Sequence, residues 1–357
     1  MKATKNQMVL ITVCVWFIGI YGCAATHQNL FGWKENLVRE IVTGSKMIDT
    51  KKGPIEYTIN GESGPYLVIM HGGPGGYDQT AAFFSDMFGK GFRILSWSRP
   101  GYIRTPLEVG KTYEDQADAA VALMDALGID HAAVLGYSAG GPPAIYFAAR
   151  YPERTWALIL ECAVTQKYTI NPKNLLERIY FNFLMFNDSF VWASNILGEL
   201  APSMIAMSTI EMESSLDNHQ TVKLVNDIMH DEQRVKMLKD IMKSMSPGEI
   251  RKKGMDNDME QLAKVENLPL SKIKAPTLII HGTNDADVPQ ADAELAAQEI
   301  PNAQLYLVPE GFHVMALTNS IGLINEKRVT FLKMHTPSIE RRENDENSKN
   351  ESFAITY

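Results

Sequence analysis

The stretch Val134-Leu135-Gly136-Tyr137-Ser138-Ala139-Gly140-Gly141 decides the fold. It sets G-x-S-x-G at the end of a β-rich run, Ala132–Gly136, and at the head of a helical pattern, Pro142–Arg150. A serine on so tight a strand-to-helix turn brings the chain against itself two residues to either side. Side chains would collide there, and glycine occupies both places. The hydroxyl is presented at a helix N-terminus, whose unpaired N–H groups favour a developing negative charge. Pro142 and Pro143 suit the first turn, where a missing N–H breaks no intrahelical bond. Ser138 is therefore the candidate nucleophile.

Outward from this turn, short β-rich runs alternate with helical patterns. Candidate strands are Glu40–Ile48, Ile55–Ile59, Tyr66–Met70, Phe92–Ser96 and Trp156–Leu160, and Tyr113–Leu127 carries apolar Ala117, Ala120, Val121, Met124 and Leu127 at helix spacing. This rhythm predicts a mostly parallel sheet covered by helices on both faces. Residues 165–267 show helical patterns without strands, broken near Pro172, Pro202 and Ser246-Pro247-Gly248. The alternation then resumes with Thr277–His281, a helix at Gln290–Gln298, Gln304–Val308 and a last helix from Val314 to Met334. The expected organisation is one α/β core, 35–164 with 268–335, interrupted by a helical insertion at 165–267.

A serine nucleophile needs a base, and the base an orienting acid. Two strand ends supply them. Thr277–His281 runs into Gly282-Thr283-Asn284-Asp285-Ala286-Asp287-Val288-Pro289, and Gln304–Val308 into Pro309-Glu310-Gly311-Phe312-His313. Asp285 and His313 are the expected acid and base, with Asp287 and Glu161 as rivals for the acid. Tyr66–Met70 ends in His71-Gly72-Gly73-Pro74-Gly75-Gly76, whose glycines let backbone N–H groups approach a substrate oxyanion. The backbone N–H groups of Gly73 and Ala139 are the expected oxyanion donors. A phosphate cradle is excluded because no lysine follows in P-loop spacing and no helix is expected at the last glycine. His71, placed before the loop, is expected to hold it by hydrogen bonds.

Composition narrows the rest. Of 357 residues 45% are apolar and 21% charged, which suits a globular chain and excludes collagen-like, coiled-coil or wholly disordered ones. A net charge of -8 opposes attraction to phosphate backbones, so nucleic acid is not an expected partner. Three cysteines without C-x-x-C spacing make neither a disulfide framework nor a zinc site, and no metal or cofactor is expected. Ten of the 18 methionines fall in the helical insertion, as loosely specified packing or as a flexible apolar substrate wall.

The ends read differently from the middle. Lys2 and Lys5, the apolar run Met8 to Ile20 and the small residues from Gly22 onward make a signal peptide over 1–23, with an apolar stretch too short for a comfortable span. Ile20-Tyr21-Gly22-Cys23 is similar to the bacterial lipobox, which makes Cys23 a candidate lipidation site and an N-terminal lipid anchor the expected membrane contact. Cleavage after Ala25 and simple secretion is the alternative, and an uncleaved anchor a third. The expected location is the bacterial cell envelope. Residues 336–357, charged and lacking apolar periodicity, read as a solvated tail.

At these motifs the chain resembles the α/β-hydrolase superfamily, over about 40–163 and 270–334. HGGPGG is similar to the opening of the proline iminopeptidase branch, whose acid motif looks like Asp285-x-x-Val288-Pro289 and whose helical cap is inserted between strands six and seven. Ser98-Arg99-Pro100-Gly101-Tyr102 resembles the family's turn after strand four, implying that Arg99 ties loops near the nucleophile. That branch usually carries G-G-S-W-G, where this chain has G-Y-S-A-G. Its peptidases also need cap carboxylates for the substrate's amine, for which this region offers Glu177, Glu199, Glu211, Glu213, Asp217, Asp227, Asp231 and Glu232 as candidates. The expected activity is hydrolysis of a carboxylic ester through an acyl-enzyme. Aminopeptidase action on short peptides is the alternative, and a non-catalytic surface binding protein the remote one.

Overall fold

A computed structural model describes residues 24–170 and 183–337. The expected signal segment with Cys23, the end of the tail and Glu177 lie outside the described residues. Among those described, no helix is long and apolar enough to cross a membrane.

The described residues begin with α1 (Ala24–Thr43) and a hairpin, β1 (Lys46–Thr50) and β2 (Gly53–Asn60). It continues through β3 (Tyr66–Met70), the short α2 (Gln79–Phe84), β4 (Arg93–Trp97), α3 (Tyr113–Ala126), β5 (Ala132–Tyr137), α4 (Gly141–Arg150) and β6 (Thr155–Glu161). Among the described residues five helices follow: α5 (Asp188–Leu200), α6 (Pro202–Glu213), α7 (Asn218–Met229), α8 (Glu232–Ser244) and α9 (Lys252–Leu262). The core resumes with β7 (Thr277–Gly282), α10 (Gln290–Glu299), β8 (Gln304–Val308) and α11 (Ile321–His335). The eight strands lie in the order β1-β2-β4-β3-β5-β6-β7-β8, antiparallel at β1/β2 and β2/β4 and parallel from β4 through β8. The helical cap thus enters between strands six and seven.

Parallel strands buried on both faces read as continuous apolar runs, and β3 shows why. Val68 and Met70 join a core layer under α3 and α4, while Leu67 and Ile69 join the opposite layer with Phe83 and Phe84 of α2 and Phe331 of α11. The second layer extends without a break into the cap through Ala206, Ile210, Leu224, Ile228, Leu238 and Ile241. Thr112 and Asp115 close a reciprocal cap at the start of α3, as Asp217 and Gln220 do for α7, each satisfying N–H groups that a helix start leaves unpaired.

Two expectations at element ends are corrected. The run Glu40–Ile48 is not one strand: α1 continues to Thr43 and β1 starts at Lys46, because Leu37 and Ile41, one helical turn apart, bury together against Tyr77. The last helix starts at Ile321 rather than Val314, and a single 3-10 turn, Met315–Leu317, precedes it. As expected, no helix starts at Gly76, the last glycine of the loop; the short α2 starts three residues on, at Gln79.

Candidate active site

Ser138 sits between β5 and α4 with φ +52°, a left-handed conformation costly for any residue other than glycine. Its glycine neighbours make that turn sterically feasible. A Cβ on Gly140 would lie 2.0 Å from the Met70 carbonyl oxygen, and one on Gly136 2.7 Å from Ala144 Cβ. The turn presses directly on the end of β3, where the HGGPGG loop begins.

His313, in the loop after β8, brings Nε2 to 3.0 Å from Ser138 Oγ and Nδ1 to 2.9 Å from Asp285 Oδ2. The Asp285 side chain is fully buried. Its Oδ1 accepts the backbone N–H groups of Asp287 and Val288, each at 2.9 Å, so both carboxylate oxygens are engaged. Tyr137, beside the serine, donates its hydroxyl to the His313 carbonyl at 3.1 Å. The end of α6 braces the acid loop, since Ala286 N–H reaches the Glu213 carbonyl and Ser215 N–H the Asn284 carbonyl. The three residues expected from the sequence are therefore one hydrogen-bonded chain.

The rivals for the acid stand elsewhere. Glu161 is paired in the core with Arg328, including a 2.7 Å bond from Arg328 Nε. Asp287 lies on the other side of the imidazole, its Oδ2 3.4 Å from His313 Nε2. Burial works against the imidazolium; the carboxylates of Asp285 and then Asp287 outweigh it and hold the His313 pKa above its ordinary 6.5. Burial likewise opposes ionisation of Asp285, but the charge of His313 prevails and lowers its pKa.

The glycine loop is fastened from several sides. His71 Nε2 accepts the Arg99 backbone N–H at 3.0 Å, so its proton is on Nδ1, which donates to the Gly72 carbonyl at 2.7 Å. Burial, aided by the Arg99 charge, keeps this imidazole neutral, well below its usual pKa. Gln79 accepts from Gly72 N–H and donates to the Pro74 carbonyl. Arg251, from the cap, donates to the Gly75 carbonyl at 2.8 Å and pairs with Asp78 at 2.7 Å. Arg99 donates to the His71 carbonyl at 2.8 Å and pairs at 2.5 Å with Asp258 of α9, which also accepts the Tyr102 hydroxyl. Asp258 is a cap acid that sequence reasoning missed. Nothing in Asp256-Asn257-Asp258 distinguishes a buried partner from a solvated face, and its arginine is far away in sequence.

Gly73, Ala139, Ser138 and His313 border one cavity of about 270 Å3, which residues of the cap also line. Seven of the cap's methionines line it, among them Met204, Met212 and Met255. Of the cap acids expected from the sequence, Glu213 reaches it; among the described lining residues, none is lysine or arginine. Cys162, His281 and Asp285 form the described cluster with metal-ligand chemistry. Asp285 is committed there to His313, His281 Nε2 bonds the Val288 carbonyl at 3.0 Å, and burial raises the Cys162 thiol pKa well above its ordinary range. A metal would have to take the acid from the base.

An eight-stranded, mostly parallel sheet with a serine at the β5–α4 turn and an acid and histidine at later strand ends defines an α/β hydrolase. The family model for the alpha/beta hydrolase fold matches residues 65–320, and the chain belongs to that family. It is 30% identical over 272 residues to the uncharacterized hydrolase YcgS of Bacillus subtilis, spanning 74% of this chain and 90% of that one. It is 26% identical over 260 residues to a 2-hydroxy-6-oxo-6-phenylhexa-2,4-dienoate hydrolase of Burkholderia cepacia, spanning 70% of this chain and 82% of that one. Among solved structures it resembles an alpha/beta hydrolase fold protein from Nakamurella multipartita, with 32% identity, a TM-score of 0.75, and coverage of 81% of this chain and 98% of that one.

Proposed function

We propose that the protein is a serine hydrolase that cleaves carboxylic esters through an acyl-enzyme. The observation that carries this reading is the bonded chain Ser138–His313–Asp285, opening into a cavity bordered by Gly73 and Ala139. Ser138 Oγ attacks the ester carbonyl while His313 Nε2 takes its proton, and Asp285 holds the imidazole with its other proton on Nδ1. The N–H groups of Gly73 and Ala139 receive the oxyanion, His313 returns the proton to the departing alcohol, and then activates water to release the acid. The methionine-rich wall supports an apolar acyl group of small or medium size.

Proline aminopeptidase action is a second reading, favoured by one observation: Glu213, a cap acid, borders the cavity. A fluorophosphonate probe and paired rates on p-nitrophenyl butyrate and a proline arylamide test these readings together. Labelling that disappears in Ser138→Ala, with the ester hydrolysed faster, is the expected result. No labelling of the wild-type protein favours the binding-protein alternative, and a faster arylamide favours the peptidase.

The N-terminal sequence supports export to the cell envelope with Cys23 as lipid attachment site. Cys23→Ser is expected to release the protein from membranes; unchanged retention would overturn this.

A further inference from the structure

The mechanism above uses Asp285 and leaves Asp287 without a task, although Asp287 borders the same cavity. Its side chain keeps 32% of its exposure, and its two oxygens have different surroundings. Oδ1 accepts the hydroxyl of Tyr168 at 2.5 Å. Oδ2 stands 3.4 Å from His313 Nε2. Tyr168 is fixed in turn, its backbone N–H bonded to the Leu262 carbonyl of α9 and its ring packed on the core layer beneath α3 and α4. Burial and then the neighbouring Asp287 charge raise its phenol's pKa, so it remains a donor. The carboxylate is thus aimed rather than loosely exposed.

Position gives this carboxylate its meaning. Nε2 is the atom that returns the serine proton to the leaving oxygen, so the departing alcohol passes within hydrogen-bond reach of it. A carboxylate beside Nε2 therefore faces the alcohol part of the ester rather than the acyl part. A charge carried on that alcohol meets Asp287 and Glu213 in a cavity whose described lining holds no lysine or arginine. In a partly desolvated site such charge pairs are weakly screened, and a like charge is penalised as an opposite one is favoured.

We infer that Asp287, aimed by Tyr168, forms a leaving-group subsite that favours esters whose alcohol carries an ammonium group and disfavours those whose alcohol carries a carboxylate. This rests on the hydrolase reading above and adds the substrate class. A cation is held on the side from which the proton is delivered, and its alcohol leaves with the charge unchanged.

Three butyrate esters, followed by acid release in a pH-stat, test it. Their alcohols are 2-(trimethylammonio)ethanol, its uncharged isostere 3,3-dimethylbutanol, and 3-hydroxypropanoate. The wild-type protein is expected to favour the cationic ester over the neutral one by about tenfold in kcat/KM, and the neutral over the anionic by a similar factor. Salt at 0.5 M should compress both ratios, a readout that needs no variant. In Asp287→Asn the cationic-to-neutral ratio should fall to about threefold or less, and Tyr168→Phe should lower it in the same direction. The ratio is read within each protein, so a general loss of activity leaves it interpretable. Equal rates on the cationic and neutral esters, or an undiminished ratio in Asp287→Asn, would overturn the subsite while Ser138 labelling leaves the hydrolase standing. If no ester is cleaved and Ser138 is not labelled, both readings fall.

Discussion

Asp285 and Asp287, two residues apart on one loop, grip opposite nitrogens of His313: Oδ2 of the first lies 2.9 Å from Nδ1, and Oδ2 of the second 3.4 Å from Nε2. A base must be neutral to accept the serine proton, and both carboxylates favour the charged form. The sign follows directly. With the His313 pKa above 6.5, the neutral base is gained as pH rises through that elevated value, so kcat/KM should climb on the alkaline side of 6.5 rather than level off near it. Replacing Asp287 by Asn removes one of the three raising charges, leaving Asp285 and Glu213, and should move this limb toward acid. A pH profile of kcat/KM for an uncharged ester, measured on both proteins, checks it, and coincident limbs would refute the electrostatic role.

Asp285→Asn should separate folding from chemistry. One side-chain oxygen can still accept the N–H groups of Asp287 and Val288, so the loop is kept. The amide NH2 then faces Nδ1, which must give up its proton, and the tautomer with hydrogen on Nε2 cannot accept from Ser138. The expected result is a loss of about 10³–10⁴ in kcat with little change in Tm, read by ester turnover and thermal unfolding. A loss below tenfold would mean that another group orients His313.

How much of this was legible beforehand depended on how local the cause was. Ser138, Asp285 and His313 each stand at a strand end whose apolar run and turn residues are adjacent in sequence, so their placement could be read without knowing the packing. Gly136 and Gly140 could be read for the same reason. The end of α1 could not: Ile41, Val42 and Thr43 are β-branched and suggest a strand, and only Tyr77, a distant partner, makes helix the better burial. Asp258 and Arg99 show the same limit, since an acidic residue on a helix is ordinarily solvated and only the folded chain brings the arginine to it. Asp287 was visible as a rival acid, but the side of His313 on which it would fall was not.

The Arg99–Asp258 pair predicts a stability effect. Both side chains are essentially inaccessible, and Asp258→Ala would leave a buried guanidinium with the His71 carbonyl and Gln116 as its remaining partners. Removing one member of a buried pair costs roughly 3–5 kcal/mol, the lower end being expected here because those two hydrogen bonds persist. Urea unfolding of Asp258→Ala against wild type measures it. Since Asp258 also joins α9 to the turn after β4, KM should rise as the cap loosens. A change below 1 kcal/mol would show that the pair contributes little net stabilisation.

Two glycine substitutions should have opposite signs. Gly140→Ala drives a methyl group to 2.0 Å from the Met70 carbonyl oxygen. That neighbour is backbone at the end of a central strand and cannot rotate away, so the nucleophile turn or the start of the glycine loop must shift. Overpacking of this kind costs about 1–3 kcal/mol, and a displacement near 1 Å at the reacting atoms about 10² in rate. A Cβ on Gly32, inside α1, would meet nothing within 4 Å outside its own helix backbone, so Gly32→Ala relieves only the helix penalty of glycine and should stabilise by roughly 0.5–1 kcal/mol without altering turnover. Denaturant midpoints and ester rates on both variants make the comparison. Wild-type turnover in Gly140→Ala would mean that the serine does not depend on the close approach between its turn and β3.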